Sequence, residues 1–367
     1  MKRIKLSPVS AIHTFLLIVV MAFPALAIEV NDLYQAQVLV DNTSTGKQKA
    51  AKRAFKQVLV KLAGADFVGS NEQIKNALAK PNNYLSQFSY EQVDDETFLL
   101  ARFEHDKINQ LLQKAKASIW GKYRPLITIW MVEENGIERT IVDDSTLELK
   151  TLITDTANNR GLPVNFPLMD LTDSMSISVS DVWGRFPETL QQASSRYLAE
   201  AVVVIRVSNS TLLEEPDINT CGQVCKTYQY SADWQYMSQG EIIQSKVNAD
   251  DKNQVIELAI NDLAEHLHHN NAYVFSTEQQ GQLDIEIANV NSMQAFVSVS
   301  EFLTNLTLVS DVKLISVTGE KMLFRLNILA SAEAIKQSLK LEQKLSENQD
   351  PLAIVNEDAV ISFMWKG

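Results

Sequence analysis

The chain has 367 residues, 46% of them hydrophobic and 21% charged, with 33 basic against 45 acidic side chains and a formal net charge of −12. That balance argues against nucleic acid and anionic lipid headgroups as partners, because binding to either relies on Lys and Arg neutralising phosphates. The length exceeds what one hydrophobic core usually supports and predicts two or three domains.

The chain opens Met1-Lys2-Arg3-Ile4-Lys5, continues through an apolar run from Phe15 to Phe23, and reads Pro24-Ala25-Leu26-Ala27 before Glu29. A basic start, a short apolar stretch and small residues at Ala25 and Ala27 form the three-part layout of a secretory signal, with cleavage expected after Ala27. A membrane anchor needs about 20 apolar residues, and this run is interrupted by His13 and Pro24. No cysteine near the cleavage point offers a site for a lipid. Residues 1–27 are therefore read as a leader, the mature chain as uninserted in any membrane, and the destination as the periplasm. Losing Lys2, Arg3 and Lys5 leaves 30 basic against 45 acidic side chains, a mature net charge of −15.

Residues 28–118 form a first α+β segment. An apolar stretch at Gln37-Val38-Leu39-Val40 is followed by capping residues Asp41 to Ser44 and a helix over 45–62, in which Ala50, Ala54, Val58 and Leu62 recur at helical spacing. A short helix over 72–79, an alternating strand over 97–103 and an amphipathic helix over 106–117 follow. Residues 119–272 form a central mixed-sheet segment. Its near-continuous apolar run from Pro125 to Val132 predicts a strand buried on both faces, and Ala201 to Val207 predicts another. Helices are expected over 145–159, 188–198 and 251–268, and a hairpin over Lys226–Met237 and Gly240–Val247. Residues 273–367 read strand 282–290, helix 291–303, strands 308–317 and 321–329, helix 331–345 and strand 359–364. This β-α-β-β-α-β order is ferredoxin-like. The fold class is thus α+β, with mixed-sheet domains in series joined by short linkers at 118–123 and 269–280.

Chemistry-bearing residues are sparse. Cys221 and Cys225 are the two cysteines, and an even pair in an exported chain predicts a disulfide. Closing so short a loop contributes on the order of 2 kcal/mol, enough to pin it. Asp262, His266 and His269 stand at i, i+4 and i+7, which places them on one face of a helix as a candidate metal set; histidines at a helix end also complement its dipole without any metal. There is no Gly-x-Ser-x-Gly elbow and no phosphate loop, and the acid pairs Asp143-Asp144 and Asp170 with Asp173 read as caps and solvated turns. The sequence therefore reads as a non-enzyme with no cofactor. The loop Ser180-Asp181-Val182-Trp183-Gly184-Arg185-Phe186-Pro187 offers Asp181, Trp183 and Arg185 as partner-binding residues, since Trp and Arg anchor interfaces well. The alternative is that Trp183 folds back over a sheet edge while Arg185 pairs with an acid.

The leader, the alanine-rich first helix, Asp181-Val182-Trp183 and the run from Ala193 to Val203 resemble the periplasmic family of gammaproteobacteria known as domain of unknown function 2066. That resemblance implies a Gram-negative periplasm and assigns no catalytic residue. The central segment is similar in element order to periplasmic sheet domains of envelope-assembly proteins, among them the N-terminal domain of the Tol translocation protein. This implies binding to other envelope proteins through sheet edges and loops. Two rival expectations stand beside it: a small-ligand or metal-binding protein using a cleft between the second and third segments, and an envelope hydrolase whose acids or Ser-His pair converge only in the fold.

Overall fold

The computed structural model describes residues 28–366 apart from 31, 42, 44, 94, 210–227, 239, 275–280, 305, 307, 330, 341–343 and 348–359. The expected leader, 1–27, and the Cys221–Cys225 pair lie outside the described residues. The architecture is α+β; among the described residues it has three mixed or antiparallel sheets of three, six and five strands, with two further two-stranded pairs.

After β1 (Ile28–Glu29) and β2 (Gln35–Leu39), helix α1 (Gly46–Ala63) buries Ala50, Ala54, Phe55, Val58, Leu59 and Leu62. These form one stripe because residues four apart lie on the same side of a 3.6-residue turn. The stripe covers a three-stranded antiparallel sheet of order β2-β4-β3. Between helix and sheet partners come the short helices α2 (Ala65–Ser70) and α3 (Glu72–Leu78), then β3 (Leu85–Val93) and β4 (Glu96–Phe103). Strand β4 contributes Leu99, Ala101 and Phe103 to the core, whereas β3, at the edge, is exposed along nearly its whole length. Helix α4 (His105–Lys114) and β5 (Ser118–Ile119) finish the unit.

Strand β6 (Tyr123–Arg124) pairs with β1 and leads into β7 (Ile127–Asn135), β8 (Glu138–Ile141), α5 (Leu147–Arg160) and β9 (Val164–Asn165). Helices α6 (Leu171–Ser176), α7 (Val179–Gly184) and α8 (Pro187–Ser194) precede β10 (Ala201–Asn209), β11 (Tyr230–Ser238), β12 (Glu241–Ala249) and the long α9 (Lys252–Asn271). The sheet runs β12-β11-β10-β7-β8, with β9 beside the start of β7, and β7 and β10 are parallel. Residues 127 to 132 are all buried because each face of β7 meets its own layer. Ile127, Ile129 and Met131 pack with α5 and α9, while Trp130 and Val132 pack with α7 and α8. The apolar run in the sequence is the mark of that double cover.

Strand β13 (Tyr273–Val274) pairs with β5, and β14 (Gly281–Ala288), α10 (Met293–Thr304), β15 (Val309–Thr318), β16 (Lys321–Ile328), α11 (Ala332–Lys340), β17 (Leu345–Glu347) and β18 (Ile361–Trp365) follow. This unit departs from the expected ferredoxin-like order. The helix expected over 331–345 is described over Ala332–Lys340, and Leu345–Glu347 is an additional strand. The sheet order is β15-β16-β14-β18-β17, with β18 parallel to β14 and antiparallel to β17. The α11 crossover returns to the edge at β17, and β18 then threads between β17 and β14. Buried residues of the first and third units form one continuous cluster, so the segments are in series along the chain but not in space.

The first and central units are joined by Arg124, which is wholly buried. Its Nη1 donates to the carbonyls of Arg160 at 2.7 Å and Gly161 at 3.2 Å, its Nη2 to those of Lys61 and Trp120, and its Nε to that of Gly121 at 3.1 Å. Lys61 and Arg160 end α1 and α5, whose last carbonyls have no partner within the helix. One guanidinium thus caps two helices at their negative ends, while its Cζ lies 4.3 Å from the Trp120 ring centroid. Burial, then the neighbouring Arg160 charge, lowers its pKa; five carbonyl acceptors hold it cationic. Gly161 takes the left-handed backbone with φ of 70°, and a Cβ there would stand 2.8 Å from Nη1, so glycine is required on both counts. Beside this joint, Glu265 on α9 accepts from the Ala65 and Asp66 amides and from Arg160, and the His268 ring meets the Leu62 carbonyl through Nε2 at 3.2 Å.

Candidate functional site

The segment expected as a loop at 181–186 is a helix, α7, continued by a left-handed residue. Ser178 and Asp181 form a capping box: each side chain bonds the other's backbone N–H, which starts the helix at Val179. Those bonds, with the Ser178 hydroxyl first, hold the Asp181 carboxyl below its usual range. Asp181 is thus committed to the helix start. Arg185 ends the helix with φ of 55°, and Phe186 is half-exposed beyond it. The Phe186 ring lies against Gly184, where an added Cβ would come within 2.7 Å of it. Residue 184 must be bare for the ring to rest there.

Trp183 folds back over the sheet. Its ring sits between two guanidiniums, 3.8 Å from that of Arg139 on β8 and 5.1 Å from that of Arg206 on β10, and its carbonyl accepts from Arg206 Nη1 at 3.1 Å. Arg139 pairs with Glu134 at 2.8 Å and Arg206 with Asp233 at 3.5 Å. Among the described residues Arg185 has no ion pair, so the expected alternative holds for Trp183 but not for its neighbour. Burial, then repulsion from Arg206, lowers the Arg185 pKa against the opposing pull of Asp233. The result is a cation-rich platform with an aromatic floor, set in an acidic protein. Arg139 and Arg206 escaped the sequence reading. The signal for Arg206 was a lone charge inside the apolar run 201–207, on a strand where every other early residue is buried.

The candidate metal set lies on one helix, α9, as its spacing requires, and brings the His266 Nδ1 to 3.5 Å from the Asp262 carboxylate. The Asp262 carboxylate accepts the Trp234 indole N–H at 3.0 Å, the His266 Nδ1 lies 2.9 Å from the Asp262 carbonyl, and His269 is exposed one turn further on. Among the described residues no group of three or more His, Cys, Asp or Glu side chains is placed to hold a metal ion. The acid pairs read as caps and solvated turns are structural, but Asp173 is buried, where it accepts from Tyr197 and Arg196. Asp143 caps a helical turn, Asp144 pairs with Lys150 at 2.7 Å, and Asp170 caps α6. Asp170 and Asp173 share Arg196, whose hydrogen bond comes first among the causes that hold the Asp170 carboxyl near 2.

A cleft of 790 Å³ lies between the first and central units, where the sequence placed one between the second and third. Its walls include Gln35, Gln37, Gln57, Asn158 and Lys61. The Lys61 ammonium donates to the Gln35 carbonyl at 3.0 Å and to that of Asp32 at 3.4 Å, and burial lowers its pKa to about 8 against the pull of Asp32.

Residues 27–121 match the family model of a domain of unknown function, DUF8605. This is a different family from the one the sequence resembles, and its match ends as the first unit ends. No curated protein matches the chain. Among solved structures, a competence or damage-inducible protein from Enterobacter asburiae is 14% identical, with 45% of this chain and 94% of that one covered at a TM-score of 0.22. A competence-damaged protein (CinA) superfamily protein from Enterobacter cloacae is 14% identical over 46% and 90%, with a TM-score of 0.21. Another from Escherichia coli is 13% identical over 45% and 87%, with a TM-score of 0.22. At such scores the likeness carries no argument for this chain. Among the described residues no helix is long and apolar enough to cross a membrane.

Proposed function

We propose that the chain is an exported, non-catalytic accessory protein of a Gram-negative cell envelope, processed after Ala27, with Cys221 and Cys225 joined, and that it binds another envelope protein at the Trp183 platform. The observation that carries this reading is Arg185, a guanidinium with no ion pair among the described residues, held beside the exposed Phe186 at the C-terminal end of α7. An acidic, partly apolar segment of a partner meets both requirements: a carboxylate for Arg185 and an apolar side chain for Phe186.

The test is photocrosslinking in intact cells from a reporter at position 186, in chains with Arg185 and with Arg185→Glu. One reproducible envelope partner, lost with the charge reversal, supports the reading. Identical patterns from both chains, or none, remove it. A second reading, binding of a small polar ligand, is favoured by the amide-lined 790 Å³ cleft; protection of Gln57 and Asn158 from hydrogen exchange by a ligand, with the platform unchanged, would select it instead.

A further inference from the structure

Strand β3 carries a feature that no other strand among the described residues uses. It reads Leu85-Ser86-Gln87-Phe88-Ser89-Tyr90-Glu91-Gln92-Val93, a chemical palindrome about Ser89. Aromatic mirrors aromatic at 88 and 90, polar mirrors polar at 87 and 91 and at 86 and 92, and apolar mirrors apolar at 85 and 93. Only β4 pairs with it, so its other edge is free among the described residues.

The hairpin decides which backbone groups that edge offers. Val93 pairs with Glu96 across a two-residue connection, and in such hairpins the pair flanking the turn is hydrogen-bonded. Bonded and non-bonded pairs alternate, so residues 87, 89, 91 and 93 bond to β4, while 88, 90 and 92 aim their N–H and C=O groups outward. Phe88 and Tyr90 stand opposite Ala101 and Leu99, which are buried under α1. Yet Phe88 is 55% exposed and Tyr90 40%, because α1 packs chiefly on β2 and β4; its Lys47 ammonium stands 4.8 Å from the Tyr90 ring centroid. A long, exposed, nearly uncharged edge strand is a template for pairing.

We infer that β3 pairs antiparallel with β3 of a second copy of this chain about a two-fold axis at Ser89. In that register Phe88 and Tyr90 of each copy form hydrogen-bonded pairs with Tyr90 and Phe88 of the other, joining two three-stranded sheets into one of six strands. The four rings meet on the α1 side, where cross-strand aromatic pairs stabilise a sheet. Glu91 faces Gln87, so no like charges oppose each other. The palindrome selects a second copy over a foreign strand, since an isologous contact requires each residue to suit its mirror partner and a foreign strand does not. A single strand pair is at the small end of specific interfaces, so the affinity falls in the micromolar range. Net charges of −15 on each copy make it tighten with added salt.

The test uses the mature chain at about 100 μM, well above a micromolar Kd, with mass read by sedimentation. Ser89 is exposed, so substitutions there leave the fold intact, as circular dichroism checks. Ser89 faces its own copy in a non-hydrogen-bonded pair with Cα atoms about 4.5 Å apart. Ser89→Lys or Ser89→Glu alone therefore weakens dimerisation at least tenfold, and mixing the two restores a dimer. Under a mild oxidant that accepts the two electrons and two protons of the thiols, Ser89→Cys gives a disulfide-linked dimer, since that spacing suits the bond. Gln87→Cys does not, its two copies lying roughly 13 Å apart along the strands, and it controls for the native cysteines. A monomer at this concentration, a dimer indifferent to Ser89→Lys, or equal crosslinking of the two cysteine variants overturns the inference.

Discussion

Replacing Arg124 with Met tests how the first and central units are held together. The guanidinium gives five N–H bonds to carbonyls at the ends of α1 and α5 and in the connection between them. At about 1.5 kcal/mol for each bond from a charged donor, these amount to roughly 7 kcal/mol. The charge no longer has to be stripped of water, which returns several kcal/mol. The expected net loss is about 3 kcal/mol, and it falls on two helices far apart in sequence. Urea unfolding measures the total, and hydrogen exchange of the peptides around Lys61 and Arg160 locates it. Both helix ends should open faster together, while the third unit's sheet is unchanged. Arg124→Lys should recover only part of the loss, because an ammonium has three donors and no planar fork. A loss under about 1 kcal/mol, or loosening confined to one of the two helix ends, would refute the double-cap reasoning.

Ser194→Ala should cost about 1–3 kcal/mol, read as a lower urea midpoint, because the buried Trp130 indole N–H donates to the Ser194 hydroxyl at 2.8 Å and has nowhere else to turn. Acidification should loosen the joint in two steps. Burial holds the His268 pKa below 6.5 in the folded chain, so as pH falls below 6.5 the unfolded chain takes up a proton that the folded chain refuses, and stability declines by at most about 1.4 kcal/mol per unit. The Glu265 carboxyl is raised by burial, but its bonds from the Ala65 amide and Arg160 outweigh this and leave it lowered. Its contribution is present above the ordinary carboxyl value and is lost at still lower pH. His268→Gln, which keeps a donor toward the Leu62 carbonyl, should flatten the first step and leave the second; an unchanged profile would show that His268 is not its source.

Much of the fold was legible along the chain because each element's pattern answers to its immediate cover. The α1 stripe and the doubly buried β7 could be read from spacing alone, since one-sided and two-sided burial leave different periodicities. Where signals were local, as in the Ser178–Asp181 capping box that turns an expected loop into α7, the residues were present but competed with Gly184 and Pro187 as apparent loop markers. Strand β3 was passed over: its polar residues mask the Phe88 and Tyr90 alternation, and an edge strand needs no continuous apolar face. The candidate site divided in the same way. Trp183 and Arg185 stand out in sequence, but the cations that flank the ring, Arg139 and Arg206, come from strands that the sheet brings together. By itself the sequence determined the acidic balance, the α+β class and the main helices and strands, all properties of residues with their near neighbours. Only the tertiary structure decided that β18 inserts beside β14, that one arginine caps two helices 99 residues apart at Lys61 and Arg160, and that Asp262 accepts the Trp234 indole N–H, because each depends on contacts between residues whose separation along the chain says nothing of their distance in space.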